Sequence, residues 1–123
     1  MSIQIHSYRD LIVWQKAMDL VVLIYKLTDS FPKSEIYGLM AQMRGSAVSI
    51  PSNIAEGRRR GTSNDYRKFL HIAFASGAEL ETQLEISERL RFGIVEQRQE
   101  ACALLNEVMR MLNVMITNLG SHT

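Results

Sequence analysis

The chain has 123 residues, of which 46% are hydrophobic, and its net charge of +1 gives no global reason to expect a nucleic-acid ligand. Only two prolines and seven glycines leave little room for the many tight turns of an all-β chain, so one helical domain over residues 1–123 is predicted. A single cysteine excludes an internal disulfide, and without a secretory signal or an apolar run that could cross a bilayer, we expect a cytoplasmic protein with no membrane contact.

The first helix is predicted over residues 8–29, after a loose arm at residues 1–6. Ser7 and Asp10 have the spacing of a capping box. Apolar residues then form two adjacent stripes at steps of three and four residues, and only a narrow strip is polar. A helix that is apolar around most of its circumference needs burial on more than one side, which favours oligomerisation. The residues that we expect near this subunit contact are Trp14, Met18 and Val22.

The second helix is predicted over residues 34–57, with Ser34 as its N-cap and Gly57 as a left-handed C-cap. Its apolar residues alternate at steps of four and three, which is typical of coiled-coil-like packing. Pro51 lies inside this pattern, and because the pattern continues in phase beyond it, we expect a bend rather than a break.

A polar stripe runs along the same helix, beside its apolar residues. One interpretation is a solvated face or a hydrogen-bonded contact between helices. The alternative is a buried polar network at Asn53 and Glu56 that stabilises a subunit contact or orients the charged turn that follows. The stripe comprises Gln42, Ser46, Ser49, Asn53 and Glu56.

The third helix is predicted over residues 63–92 and begins with a capping box at Thr62 and Asp65. Small residues in its middle allow a neighbouring helix to approach closely, and Gly93 ends it. The fourth helix, over residues 95–119, repeats the same apolar spacing, and the last three residues are expected to fray.

These four helices are joined by short connections. They therefore predict an all-α fold, an antiparallel up-down-up-down four-helix bundle. In that arrangement the start of the first helix, the turn between the second and third helices and the end of the fourth helix lie at one end of the bundle.

The turn between the second and third helices carries the strongest local charge. It has five cations and one carboxylate, Asp65, a local charge of +4 that leaves −3 for the rest of a chain of net charge +1. No aromatic residue interrupts the run of arginines, so phosphate contact is favoured over base stacking. The competing interpretation is a solvated surface whose cations complement a helix C-terminus. The candidate nucleic-acid-binding residues are Arg58, Arg59, Arg60, Arg67 and Lys68.

No motif in the sequence predicts an enzyme. The glutamates of the third helix, such as Glu79 and Glu85, could suggest a carboxylate di-iron centre, but none is followed three residues later by histidine. The three histidines show no ligand spacing, and neither a nucleophile elbow nor a phosphate-binding glycine loop is present. We therefore expect no catalytic residue, metal, cofactor or small-molecule substrate, and we expect Cys102 to be a small core residue.

Four segments together resemble the bacterial four-helix-bundle proteins that are encoded in intervening sequences of large-subunit ribosomal RNA genes. These segments are LIVWQKA (11–17), FPKSEIYGL (31–39), SIPSNIAEG (49–57) and ELETQL (79–84), and the resemblance spans nearly the whole chain in register. It implies a homopentameric ring of antiparallel bundles with no established enzymatic activity. It also implies a distant kinship with the accessory proteins of diversity-generating retroelements, which are basic, bind nucleic acid and partner a reverse transcriptase.

The leading hypothesis is a non-enzymatic, homo-oligomeric helical bundle that binds RNA or an RNA-protein assembly through its basic turn. The alternative is a structural or protein-interaction module that presents apolar helix faces to a protein and binds no nucleic acid. The two hypotheses differ in whether the protein binds a polyanion with an affinity that falls steeply with salt.

Overall fold

The computed structural model describes residues 7–120, which form four α-helices and no β-strand. The helices are α1 (Ile12–Asp29), α2 (Leu39–Arg59), α3 (Ser63–Arg89) and α4 (Val95–Gly120), with 3-10 turns at Tyr8–Asp10 and Lys33–Glu35. Helix α1 packs against α2 and α4, and α3 packs against the same two helices. This confirms the predicted four-helix bundle. The predicted arm at residues 1–6 and the predicted fraying of the last three residues lie outside the described residues.

One continuous apolar core fills the space between the helices, because each helix turns an apolar stripe inward. Fully burying a large aliphatic side chain stabilises a fold by about 1.5–3 kcal/mol. Helix α2 contributes to this core along its whole length and continues without a break through Pro51, which is itself buried. The largest fully buried side chains include Leu20, Ile24, Leu27, Met43, Ile50, Ile54, Leu70, Leu80, Leu105 and Leu112.

Helix α1 begins at Ile12 rather than at residue 8, because the capping box at Ser7 opens a separate 3-10 turn at Tyr8–Asp10. The start of α2 also differs from the prediction. The residues around Ser34 form a 3-10 turn, and the α-helix begins only at Leu39, so the assignment of Ser34 as N-cap is wrong. The Oε1 atom of Glu35 accepts a hydrogen bond of 3.0 Å from the backbone N–H of Leu39. A carboxylate four residues upstream therefore satisfies a free amide of the first turn, and its negative charge suits the positive end of the helix dipole.

The end of α2 also differs, because Gly57 is not its C-cap. The helix continues to Arg59, and the left-handed residue in the turn is Gly61, with a φ of +85°. Gly57 is buried, and a Cβ atom there would lie 2.7 Å from the Cβ of Phe69 and 3.2 Å from the Cδ1 of Tyr66. The role of this glycine is to let α3 approach the bare backbone of α2.

Helix α3 begins as predicted and ends earlier than predicted. The hydroxyl of Thr62 accepts a 3.2 Å hydrogen bond from the backbone N–H of Asp65, which confirms Thr62 as the N-cap. The helix ends at Arg89 rather than at residue 92, because Arg91 adopts a left-handed conformation with a φ of 58°. Gly93 follows with a φ of 84°, so the turn into α4 contains two left-handed residues.

Candidate nucleic-acid interface

Six basic side chains lie at the end of the bundle where the first 3-10 turn, the α2–α3 connection and the C-terminus of α4 meet. They are the five predicted residues Arg58, Arg59, Arg60, Arg67 and Lys68, joined by Arg9, and we call this region the basic end. The guanidinium of Arg59 lies 5.2 Å from the ring centroid of Tyr8. The Nε atom of Arg67 donates a 3.1 Å hydrogen bond to the carbonyl of Ile116 in α4. These contacts confirm the prediction that the three segments share one end.

Aromatic rings lie against three of the arginines. The ring of Tyr8 is contacted by the guanidinium groups of Arg9 and Arg59, at 5.5 and 5.2 Å from its centroid. The guanidinium of Arg60 lies 4.9 Å from the centroid of Phe69. A cation–π contact at an exposed site contributes about 0.5–1 kcal/mol and uses no hydrogen-bond acceptor of the protein. Guanidinium groups held in this way can still donate hydrogen bonds to an anion.

The five predicted basic residues are not equivalent. Arg60 forms a 2.8 Å ion pair with Glu56, and both side chains are about half exposed. An exposed pair of this kind contributes only about 0.3–0.5 kcal/mol, so an anion can displace the carboxylate. Arg67 is half-buried and donates to the backbone of α4, which gives it a structural role. Arg59 and Lys68 are exposed.

A recess of about 150 Å³ lies at the start of α3, lined by Arg58, Thr62 and Tyr66 among others. Burial raises the pKa of the Tyr66 phenol, and the positive charge of Arg58 offsets part of that rise. The Tyr66 hydroxyl has no hydrogen-bond partner within the described part of the chain. The phenol therefore stays protonated and neutral at physiological pH.

Of the residues predicted at a subunit contact on α1, Met18 and Val22 lie on an apolar stripe that the core does not cover, whereas Trp14 is half-buried and packs against the core. Trp14 and Met18 line a groove of about 350 Å³ between α1 and α2. Met18 is 41% exposed, Val22 53% and Tyr25 43%, so large apolar side chains follow one another along this face. The other predicted stripe of α1 enters the core, and its buried residues are Val13, Ala17, Leu20, Ile24 and Leu27.

Asn53 and Glu56, predicted at the same contact, lie on α2. The Nδ2 atom of Asn53 donates hydrogen bonds to the carbonyl and the hydroxyl of Ser49, at 2.8 and 3.0 Å. Asn53 is half-buried and Glu56 is exposed. Within one chain, Asn53 thus fits the hydrogen-bonded helix face, and Glu56 orients Arg60 in the basic end.

Cys102 is exposed, so the expectation that it is a core residue is wrong. Cys102 is one residue away from the apolar core positions of α4, so its side chain points into an outer groove that Glu81, Glu85 and Glu88 also line. Desolvation by the surrounding protein raises the pKa of its thiol, Arg98 lowers it, and the three carboxylates raise it further. Across residues 7–120 no group of three potential metal ligands is present, and no helix is both long and apolar enough to cross a membrane.

Comparison with known proteins gives one family and one fold. The family described as 23S rRNA-intervening sequence protein matches residues 9–114, a range that takes in the basic end and reaches into all four helices. Among solved structures, the chain is similar to a protein of unknown function from the S23 ribosomal protein family of Bacteroides thetaiotaomicron. The sequence identity is 25% and the TM-score 0.76, and the match covers 85% of this chain and 98% of that chain. No curated protein matches the sequence.

Proposed function

Because the chain belongs to the 23S rRNA-intervening sequence protein family, we propose that it acts by binding, as a homo-oligomeric bundle whose basic end contacts RNA phosphates. The observation that carries this proposal is the gathering of six cations at one end, where folding adds Arg9 to the run that the sequence displays. Three carboxylates accompany them, Asp10, Glu56 and Asp65, so the basic end retains a net charge of +3. A local excess of charge attracts polyanions even when the whole chain is nearly neutral.

The chemistry of these side chains favours phosphate contact over base readout. Guanidinium groups present several N–H donors in a planar fork that matches phosphate oxygens. Arg59 and Lys68 are exposed, and Arg60 can exchange Glu56 for a phosphate at little cost. The family is described by its location in an intervening sequence of 23S rRNA, which makes ribosomal RNA the first polyanion to test.

The oligomeric part of the proposal rests on the uncovered apolar stripe of α1, formed by Met18, Val22 and Tyr25. Removing apolar surface from water is favourable by about 25 cal/mol per Å². Packing this stripe against a second copy therefore gains free energy that a monomer forgoes. In a closed ring every copy presents the same basic end, so several clusters of cations act on one RNA.

The test is the salt dependence of RNA binding, measured by electrophoretic shift with ribosomal RNA fragments. The logarithm of affinity should fall linearly with the logarithm of salt concentration, with a slope of about 0.7–0.9 per phosphate contacted. Replacing Arg58, Arg59 and Arg60 together by Ala should flatten this slope and weaken binding to all sequences about equally. The matched control is Arg89→Ala, which removes an exposed arginine at the opposite end of α3. A wild type without RNA affinity at low salt, or a triple variant with full affinity, contradicts the proposal.

The apolar groove between α1 and α2 favours a second candidate function, a protein-interaction module without nucleic-acid binding. Sedimentation tests whether this apolar face forms a contact between copies of the chain. Met18→Glu should reduce the assembly to smaller species, because it places a charge in the uncovered stripe. Ile72→Glu, the same substitution at an apolar residue of α3 that is 42% exposed, should leave the assembly unchanged. An oligomer that dissociates only with the Ile72 variant would move the subunit contact to α3.

A further inference from the structure

A second groove, of about 610 Å³, runs between α2 and α3 and shares no residue with the basic end. It is lined mainly by small and polar side chains, and the lining contains one carboxylate, Glu79, and no lysine or arginine. At Gly45 an added Cβ atom would meet nothing within 4 Å, so the groove is open there. No lysine or arginine in the lining neutralises Glu79, and the groove has room for a ligand.

Along this groove, hydrogen bonds that involve serine hydroxyls connect the antiparallel helices α2 and α3. The hydroxyl oxygens of Ser49 and Ser76 lie 2.8 Å apart and share a hydrogen bond. The hydroxyl of Ser46 donates a 3.1 Å hydrogen bond to Oε2 of Glu79. This bond leaves the carboxylate with further lone pairs, because an ionised carboxylate accepts about four hydrogen bonds.

One helical turn beyond Glu79, Gln83 also lines the groove, and its side chain is incompletely satisfied. Gln83 is only 7% exposed, and its Oε1 atom receives no hydrogen bond from any of residues 7–120. A buried amide oxygen without a donor destabilises a fold, so native proteins rarely keep one without a reason. This oxygen is shielded from solvent, so a movement of the Gln83 side chain must accompany a ligand whose N–H donor satisfies it.

We propose that the groove binds a primary ammonium group carried on an alkyl chain, as in a diamine, a polyamine or a lysine side chain. An ammonium group has three N–H donors and a positive charge, which match the Glu79 carboxylate, the unpaired oxygen of Gln83 and the serine hydroxyls. An anion would be repelled by Glu79, and a purely apolar ligand would leave Gln83 unsatisfied.

Isothermal titration of the purified protein with 1,4-diaminobutane and spermidine, at physiological salt, tests this proposal. Both amines should bind saturably, with one site per chain. Tetramethylammonium, which has the same type of charge and no N–H donor, should not bind. Glu79→Gln should lower the amine affinity by at least about tenfold, because it removes a charge-assisted hydrogen bond. Glu81→Gln, the same change at an exposed glutamate of α3 outside the groove, should leave the affinity unchanged.

Gln83→Leu distinguishes a ligand-binding glutamine from a structural one. The substitution removes the unpaired oxygen at similar volume, so the ligand-free variant should melt at a higher temperature than the wild type and lose the rise in melting temperature that amines induce. A structural glutamine would give a lower melting temperature and an unchanged response to amines.

N-acetyl-lysine amide, which mimics a lysine within a peptide, is titrated in the same way. If it binds more tightly than the diamines, the natural ligand of the groove is a lysine side chain of a peptide. The absence of saturable binding, equal binding of tetramethylammonium, or full affinity in the Glu79 variant overturns the proposal. None of these results bears on RNA binding at the basic end.

Discussion

Replacing Arg67 by Ala should destabilise the fold more than replacing Arg59 does. The Nε atom of Arg67 donates a 3.1 Å hydrogen bond to the carbonyl of Ile116, near the C-terminus of α4. A hydrogen bond from a charged donor contributes about 1.5–3 kcal/mol, and a cation near a helix C-terminus contributes about 0.3–1 kcal/mol. Because Arg67 is only half-buried, solvent screening reduces the expected loss in the free energy of unfolding to about 1–2 kcal/mol.

This loss is large enough to measure as a change in melting temperature. The entropy of unfolding is about 2.1 cal/mol/K per residue, or about 0.26 kcal/mol/K for 123 residues, so Arg67→Ala should melt about 4–8 °C below the wild type. Arg59 is exposed, and among residues 7–120 its guanidinium packs on the face of Tyr8, a contact of about 0.5–1 kcal/mol, so its removal should lower the melting temperature by about 2–4 °C at most. Circular dichroism should follow both variants at one protein concentration, because the melting temperature of an oligomer depends on concentration.

In RNA binding the order should be reversed, so that the Arg59 variant loses more than the Arg67 variant. Arg59→Ala should reduce the slope of log affinity against log salt by about 0.7–0.9, the contribution of one phosphate contact. Arg67→Ala should keep the wild-type slope at temperatures where it is folded. If Arg67→Ala melts within about 1 °C of the wild type yet loses RNA affinity, the structural role is refuted and Arg67 belongs with the residues proposed to bind phosphate.

Two further predictions concern the packing of α2 and the thiol of α4. Gly57→Ala should lower the free energy of unfolding in urea by about 1–3 kcal/mol, since the new Cβ would lie 2.7 Å from the Cβ of Phe69. Gly45→Ala, whose Cβ meets nothing within 4 Å, should instead raise it by about 0.5–1 kcal/mol, and equal effects of the two substitutions would contradict the close-approach role of Gly57. Because desolvation and neighbouring carboxylates raise the pKa of Cys102, its alkylation should accelerate at a higher pH than that of free cysteine, and Glu88→Gln should shift this profile to lower pH. A profile identical to that of free cysteine would rule out this environment for the thiol.

The bundle could be predicted because the spacing of apolar residues in each helix depends on helix geometry alone. The glycines were less informative, because a glycine can either end a helix or let another helix approach. Gly57 precedes three arginines and has the sequence context of a cap, yet Phe69 packs against it. The predicted start of α2 is wrong for a related reason. Glu35 lies outside the helix and accepts a hydrogen bond from its first turn, and residue preferences at the N-cap position do not predict such a contact.

The basic end was predictable in part. The charge of the arginine run and its position at one end follow from the sequence and the topology. The contacts that distinguish the arginines depend on residues distant in sequence, namely Tyr8 for Arg59 and Ile116 for Arg67. The capping box at Ser7, which identifies the first turn, is the sequence signal that could have placed Tyr8 and Arg9 beside the arginines.

The length of the helices has a consequence for how fast the protein would meet the proposed RNA ligand. Helix α4 has 26 residues and is therefore about 39 Å long, whereas charges in physiological salt are screened beyond about 8 Å. Carboxylates near the start of α4, such as Glu96 and Glu100, are consequently too distant to weaken the attraction of the basic end for an approaching phosphate chain. Encounters should be steered so that the molecule arrives with this end first, and the association rate constant should fall as ionic strength rises. A chain of identical composition with its cations scattered along the helices would have the same net charge of +1 and no such preferred direction of approach.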